Sequence, residues 1–97
     1  MEIIVQYQKM KTSEAMTELL TKKLDSLQQK YDWLIRADVL FKVEYDSKGE
    51  DRVCEIELHV PGPNLFAKSN SDNFEKSMAE TVDDLKRQLE KRQASFG

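Results

Sequence analysis

The sequence is poor in the residues that staple or interrupt a fold. It holds one cysteine, Cys54, so no internal disulfide can form, a usage that agrees with a reducing compartment. Two prolines and three glycines leave few loop signals, and no segment is of low complexity. No apolar run is long enough to span a bilayer. Residues 1–7 lack the basic start and apolar stretch of a signal peptide. These absences predict a soluble, cytoplasmic protein without a membrane partner. A single histidine, His59, joins Cys54 as the only imidazole and thiol, too few for a structural zinc site. Positive charge is not in excess either: 15 Lys and Arg stand against 18 Asp and Glu, a net charge of -3. That balance weighs against nucleic-acid binding through overall charge alone.

What is present points to one domain over residues 1–97, a size that can bury a core without staples. A hydrophobic fraction of 39% beside 34% charged residues suits a thin two-layer domain with a large solvated surface. The charges are polarised along the chain. Glu44, Asp46, Glu50, Asp51, Glu55 and Glu57 crowd the middle against Lys48 and Arg52, whereas Lys86, Arg87, Lys91 and Arg92 gather near the end against Glu90.

Hydrophobic periodicity divides the chain into six elements. Ile3, Val5 and Tyr7 alternate with Glu2, Ile4 and Gln6, a short strand. Thr12 or Ser13 offers an N-cap, and Met16, Leu19, Leu20, Leu24, Leu27 and Tyr31 follow at helical spacing to about residue 30. Ala37, Val39, Phe41, Val43 and Tyr45 alternate with polar neighbours in a longer strand. Residues 46–51 read as a polar hairpin loop containing a glycine. Beyond it, Cys54, Ile56, Leu58 and Val60 point one way and Val53, Glu55, Glu57 and His59 the other. Residues 61–64 form a Pro-Gly-Pro-Asn turn, and residues 65–70 a fourth strand. Ser71 or Asp72 then caps a second helix whose stripe is Phe74, Met78, Val82, Leu85 and Leu89, ending near residue 93.

The order β-α-β-β-β-α predicts an α+β two-layer sandwich. A right-handed crossover joins the first two strands in parallel, three strands follow as an antiparallel meander, and both helices cover one face of a four-stranded mixed sheet. The polar strand positions then face solvent.

No catalytic constellation emerges. Cys54 and His59 are five positions apart in one strand and so point to opposite faces, which makes them a core thiol and a surface imidazole. Asp46, Glu50 and Asp51 lack the glycine placement of a calcium loop. Nothing sets the carboxylates Glu55 and Glu57 apart as acid and base, and no phosphate loop or nucleophile elbow is present. The reading is a binding protein, not an enzyme, with no cofactor, metal or small-molecule substrate. Basic side chains on the helices are the candidates: Lys22 and Lys23 on the first, Lys86, Arg87, Lys91 and Arg92 on the second. Side by side, the helices merge these into a stripe suited to phosphates. The same residues have an ordinary use near helix C-termini, where they complement the dipole and keep the surface soluble.

The element order, the runs Leu40-Phe41-Lys42-Val43-Glu44 and Leu58-His59-Val60-Pro61-Gly62, and the end Leu85-Lys86-Arg87-Gln88-Leu89 together resemble the ribosome hibernation-promoting factor family, also described as ribosome-associated inhibitors and sigma-54 modulation proteins. The resemblance covers nearly the whole chain and is nearer to the short form, without a C-terminal dimerisation domain. It implies a fold like double-stranded-RNA-binding domains. It also implies binding to the small ribosomal subunit (16S rRNA and ribosomal proteins) in the channel for messenger and transfer RNA, which silences ribosomes in starved or stationary cells. Pairing of ribosomes would need a second factor or a conformational effect on the subunit. Lys23, Lys42, Arg87, Lys91 and Arg92 match basic positions of the family, and His59 matches a strand histidine of relatives. Ser26, Glu75 and Asp84 depart from it, each removing positive charge or an aromatic ring from the expected RNA face. Those departures keep a second reading open: an interaction module that uses its acidic sheet face on a basic protein, for example a ribosomal protein or a sigma factor.

Overall fold

In the computed structural model, which describes residues 1–46 and 48–96, alternation and helical stripe resolve into β1 (Glu2–Gln8), α1 (Glu14–Lys30), β2 (Arg36–Asp46), β3 (Gly49–His59), β4 (Leu65–Ser71) and α2 (Phe74–Ser95). The strands lie in chain order across one sheet. β1 pairs with β2 in parallel, and β2, β3 and β4 follow antiparallel. Both helices supply residues to one core with the helix-facing strand positions. Leu20, Leu24 and Leu27 of α1 and Met78, Leu85 and Leu89 of α2 meet Val39, Phe41, Ile56 and Leu58. Burying a side chain of this size contributes about 1.5–3 kcal/mol. The expected two-layer sandwich is therefore the fold.

Aromatic contacts fix the β1 end of the core. Tyr7 stacks on Phe41 at 5.4 Å between ring centroids, and Phe41 meets Phe74 edge-on at 5.7 Å. The Tyr7 hydroxyl donates to the Ser13 carbonyl at 2.7 Å, tying β1 to the start of α1. Ser13 is the α1 N-cap, its hydroxyl accepting from the Met16 amide.

Two boundaries and one burial differ from expectation. The β2–β3 hairpin is longer: Tyr45 pairs with Glu50 and Asp46 with Gly49, so Glu50 and Asp51 are strand residues. Of that predicted loop, Ser47 lies outside the described residues. Gly49 takes φ +123, a conformation that L side chains rarely adopt. The α2 N-cap is Asn73, not Ser71 or Asp72. Asn73 Oδ1 accepts from the Lys76 amide at 2.8 Å, while the Asp72 carboxylate is engaged by the Ser71 hydroxyl and the Asn73 amide. Finally, Val53 is fully buried although it sits on the sheet face without helices, beside Lys42 and Asn70 in register. Among the described residues, no helix is long and apolar enough to cross a membrane.

Candidate nucleic-acid interface

The helices run in the same direction across the sheet. Lys23 shares a hollow of about 260 Å³ with Val82 and Lys86, and Lys30, farther along α1, shares the next one, about 290 Å³, with Lys86 and Glu90. Parallel placement brings the basic C-terminal half of α1 against that of α2. It also brings both negative helix ends to one side of the molecule, where the last turns carry Lys30 and Arg92.

Three lysines thus line one groove: Lys23, half-buried; Lys30; and Lys86, which belongs to both hollows. Lys30 was not singled out from the sequence, because it closes α1 and resembles an ordinary dipole partner. Its ammonium lies 5.5 Å from the Tyr31 ring centre, which holds it beside the groove. The groove is not purely basic. Asp83 stands 3.8 Å from Lys86, and Asp84 3.9 Å from Arg87. Both pairs are well exposed, and ion pairs of that kind are weak enough for a phosphate to replace. Ser26, which departs from the family pattern, lines both hollows and donates its hydroxyl to the Lys22 carbonyl at 3.1 Å.

The other predicted positions are distributed differently. Lys22 and Arg87 are exposed on their helices. Lys91 lies toward β4, near Leu65 and Gln88. Arg92 holds a turn together: its Nη1 donates to the Pro61 carbonyl at 3.0 Å and its Nη2 to that of Pro63 at 2.8 Å. Gly62 takes φ +85 there, and a Cβ on it would lie 3.4 Å from Arg92 Nη1. Lys42 is not brought to the helices at all. It lies on the opposite face of the sheet, 2.9 Å from Glu55 and 3.0 Å from Glu44. Hydrogen bonds that Lys42 donates to Glu55 and then Glu44 push its pKa above the usual lysine range, and the bond to Glu44 holds that carboxyl below the carboxylate range.

Among the described residues, the face bearing Lys42 carries one group of side chains spaced as metal ligands could be. Asp38, Glu57 and His59 offer ligand atoms within 4.8 Å of one another. Arg36 already places a cation there, 3.1 Å from Asp38 Oδ2 and 3.2 Å from His59 Nε2. His59 Nε2 lies 2.7 Å from the same Asp38 oxygen, and its Nδ1 lies 3.1 Å from the Asn64 amide. Desolvation pushes the Asp38 carboxyl up, but hydrogen bonds from His59 and Arg36 outweigh it and hold the group below its ordinary range. The cluster is an ion-pair network linking β2, β3 and the turn before β4, with Glu57 at its margin, 3.7 Å from His59 Nε2.

Cys54 lies on the helix side, fully buried. Burial pushes its thiol up to about 12, which leaves it protonated and unreactive. It shares a face with neither His59 nor any acid of that cluster.

A family model described as "Sigma 54 modulation protein / S30EA ribosomal protein" matches residues 3–95. No curated protein matches the chain. A solved ribosomal subunit interface protein from Coxiella burnetii is 26% identical with a TM-score of 0.86, over 97% of this chain and 99% of that one. The N-terminal domain of Protein Y from Thermus thermophilus shares the fold at a TM-score of 0.76 and 19% identity, over 94% and 98% of the two chains.

Proposed function

The chain belongs to the sigma 54 modulation protein / S30EA ribosomal protein family, and from that premise we propose that it is a ribosome-associated protein of the cytoplasm that binds the small subunit through the α1–α2 groove. In this reading Lys23, Lys30 and Lys86 sit over phosphates of structured RNA, with Lys22 and Arg87 at the rim and Lys91 beyond it toward β4. Occupation of the messenger and transfer RNA channel silences the ribosome by steric block, in starved or stationary cells. No covalent chemistry is needed.

The observation that carries this reading is the parallel pairing of the helices, which puts the lysines of two sequence-distant segments on one groove. Structured RNA presents backbone and 2′-hydroxyls more readily than base edges, and a lysine groove reads such a surface without base contacts. It also accommodates the acidic total, since the middle-chain acids Glu44, Glu55 and Glu57 lie on the other face of the sheet.

The test is co-sedimentation of the purified protein with purified small subunits at low and moderate salt, with Lys23→Glu/Lys86→Glu alongside. Three phosphates neutralised predict that about a fourfold rise in salt weakens binding roughly 40-fold. The wild type should travel with the subunit and the double variant stay at the top. A double variant that sediments like wild type would remove the groove from the site.

A further inference from the structure

The sheet face turned away from the helices carries charge of the other sign and an apolar pair with nothing over it. We propose that this face receives an arginine-bearing segment of a partner protein, its guanidinium seated at the Asp38–Glu57 pair between Ile4 and Phe66.

The sheet register puts Ile4, Asp38, Glu57 and Phe66 in one row across all four strands. Two carboxylates facing each other across neighbouring strands oppose folding unless compensated. Asp38 is compensated by Arg36 and His59. Among the described residues, Glu57 has the His59 ring at 3.7 Å and the Asn64 amide at 3.5 Å. It is a carboxylate with room for a cation. Ile4 and Phe66, 37% and 52% exposed, flank the pair, and with Leu40 they line a shallow hollow of about 450 Å³.

This combination suits arginine better than lysine. The guanidinium can meet a carboxylate through two nitrogens, its stem can lie along Ile4 and Leu40, and its plane can stack on the Phe66 ring. On the adjoining rows Glu2 stands in register with Arg36, and Glu55 is held by Lys42 and Lys68, so the attraction for a cation, and the repulsion of phosphate, rest on Glu57. The occupant is therefore a basic protein segment, not nucleic acid. The proposal stands independently of the RNA groove, which lies on the opposite face.

It is tested on the ¹⁵N-labelled full chain by amide chemical-shift mapping. The probe is a short blocked peptide with one arginine between two leucines, beside the same peptide with citrulline, and separately an RNA hairpin. The arginine peptide should shift residues 4, 38, 40, 57 and 66. Citrulline should bind about three- to tenfold more weakly. Glu57→Gln, isosteric and on the surface, should lower affinity for the arginine peptide about threefold or more while leaving the remaining spectrum unchanged. Equal binding of both peptides, shifts confined to α1 and α2, no shifts at millimolar peptide, or displacement of the row by the RNA hairpin would each overturn the proposal. Loss of hairpin binding to the helices would count against the groove alone.

Discussion

Trp33 Nε1 donates to Gln93 Oε1 at 2.8 Å, joining the residues just beyond α1 to the last turn of α2. The indole also meets Tyr31 edge-on at 5.7 Å and Phe96 at 5.0 Å. These contacts set how far one helix slides along the other, and hence whether Lys30 and Lys86 share a hollow. The tie carries no charge, yet through Tyr31 it reaches the ring that holds Lys30 beside the groove.

Trp33→Ala should therefore cost about 2–3 kcal/mol of stability by chemical denaturation, since it removes a large ring and both edge contacts. Trp33→Phe keeps the packing and loses a hydrogen bond whose acceptor can turn to water, so its cost should stay near 1 kcal/mol. Small-subunit affinity should fall more for Ala than for Phe, although neither removes a charge.

Arg92→Ala should loosen the Pro61–Asn64 turn and lower stability by about 1–2 kcal/mol. Arg92→Lys should rescue little, because one ammonium cannot reproduce the two-nitrogen fork that spans both carbonyls. Proteolysis within the turn gives a second readout.

Lys42→Ala, on the far face from the groove, should leave subunit affinity unchanged within about twofold and leave the salt slope intact, whereas losing a true phosphate contact lowers that slope by about one. Its melting temperature should drop slightly, because Glu44 and Glu55 then fall back on the longer pairing with Lys68, at 4.0 and 3.9 Å. A lost salt-slope unit would place the RNA on the sheet.

Asp38 gives stability a pH dependence of defined sign. Its folded pKa is depressed below the ordinary value of 3.8, so its contribution is present above that value and lost as pH falls through the folded one. Asp38→Asn should melt below wild type at neutral pH by a few tenths of a kcal/mol, the group being partly exposed. The two curves should converge in strong acid. A gap that persists at the acid end would assign the effect to packing.

Cys54 should resist thiol reagents in the native protein and react at the rate of an unhindered thiol in denaturant. Its native labelling rate then reports opening of the core.

Much of this architecture is legible in the sequence because each element hides one face. Ile3, Val5 and Tyr7, or Leu20, Leu24 and Leu27, recur at the period of their element, and the sheet and helix stripes fall out directly. The hairpin tip is not legible for the same reason: Glu44, Glu50 and Asp51 are polar on both sides, so no alternation marks where pairing ends. Ser71, Asp72 and Asn73 are all competent caps, and only backbone geometry selects the third. The side chains that make up the site could be named, but not their company. Strand parity already separates Lys42 from the core, yet its bond to Glu55 depends on register. The shared position of Lys23, Lys30 and Lys86 depends on helix direction, and the Arg92 fork on a turn that lies far from it in the chain.

The strand order, which follows the chain without interruption, also has a kinetic meaning. β2, β3 and β4 join through short hairpin connections, whereas β1 must wait for α1 to return before Glu2 can meet Arg36. Loop closure of that length slows pairing, so the meander forms early and β1 docks late. β1 also lies at a sheet margin, as β4 does, so its amide hydrogens should exchange under native conditions ahead of those of the inner strands β2 and β3.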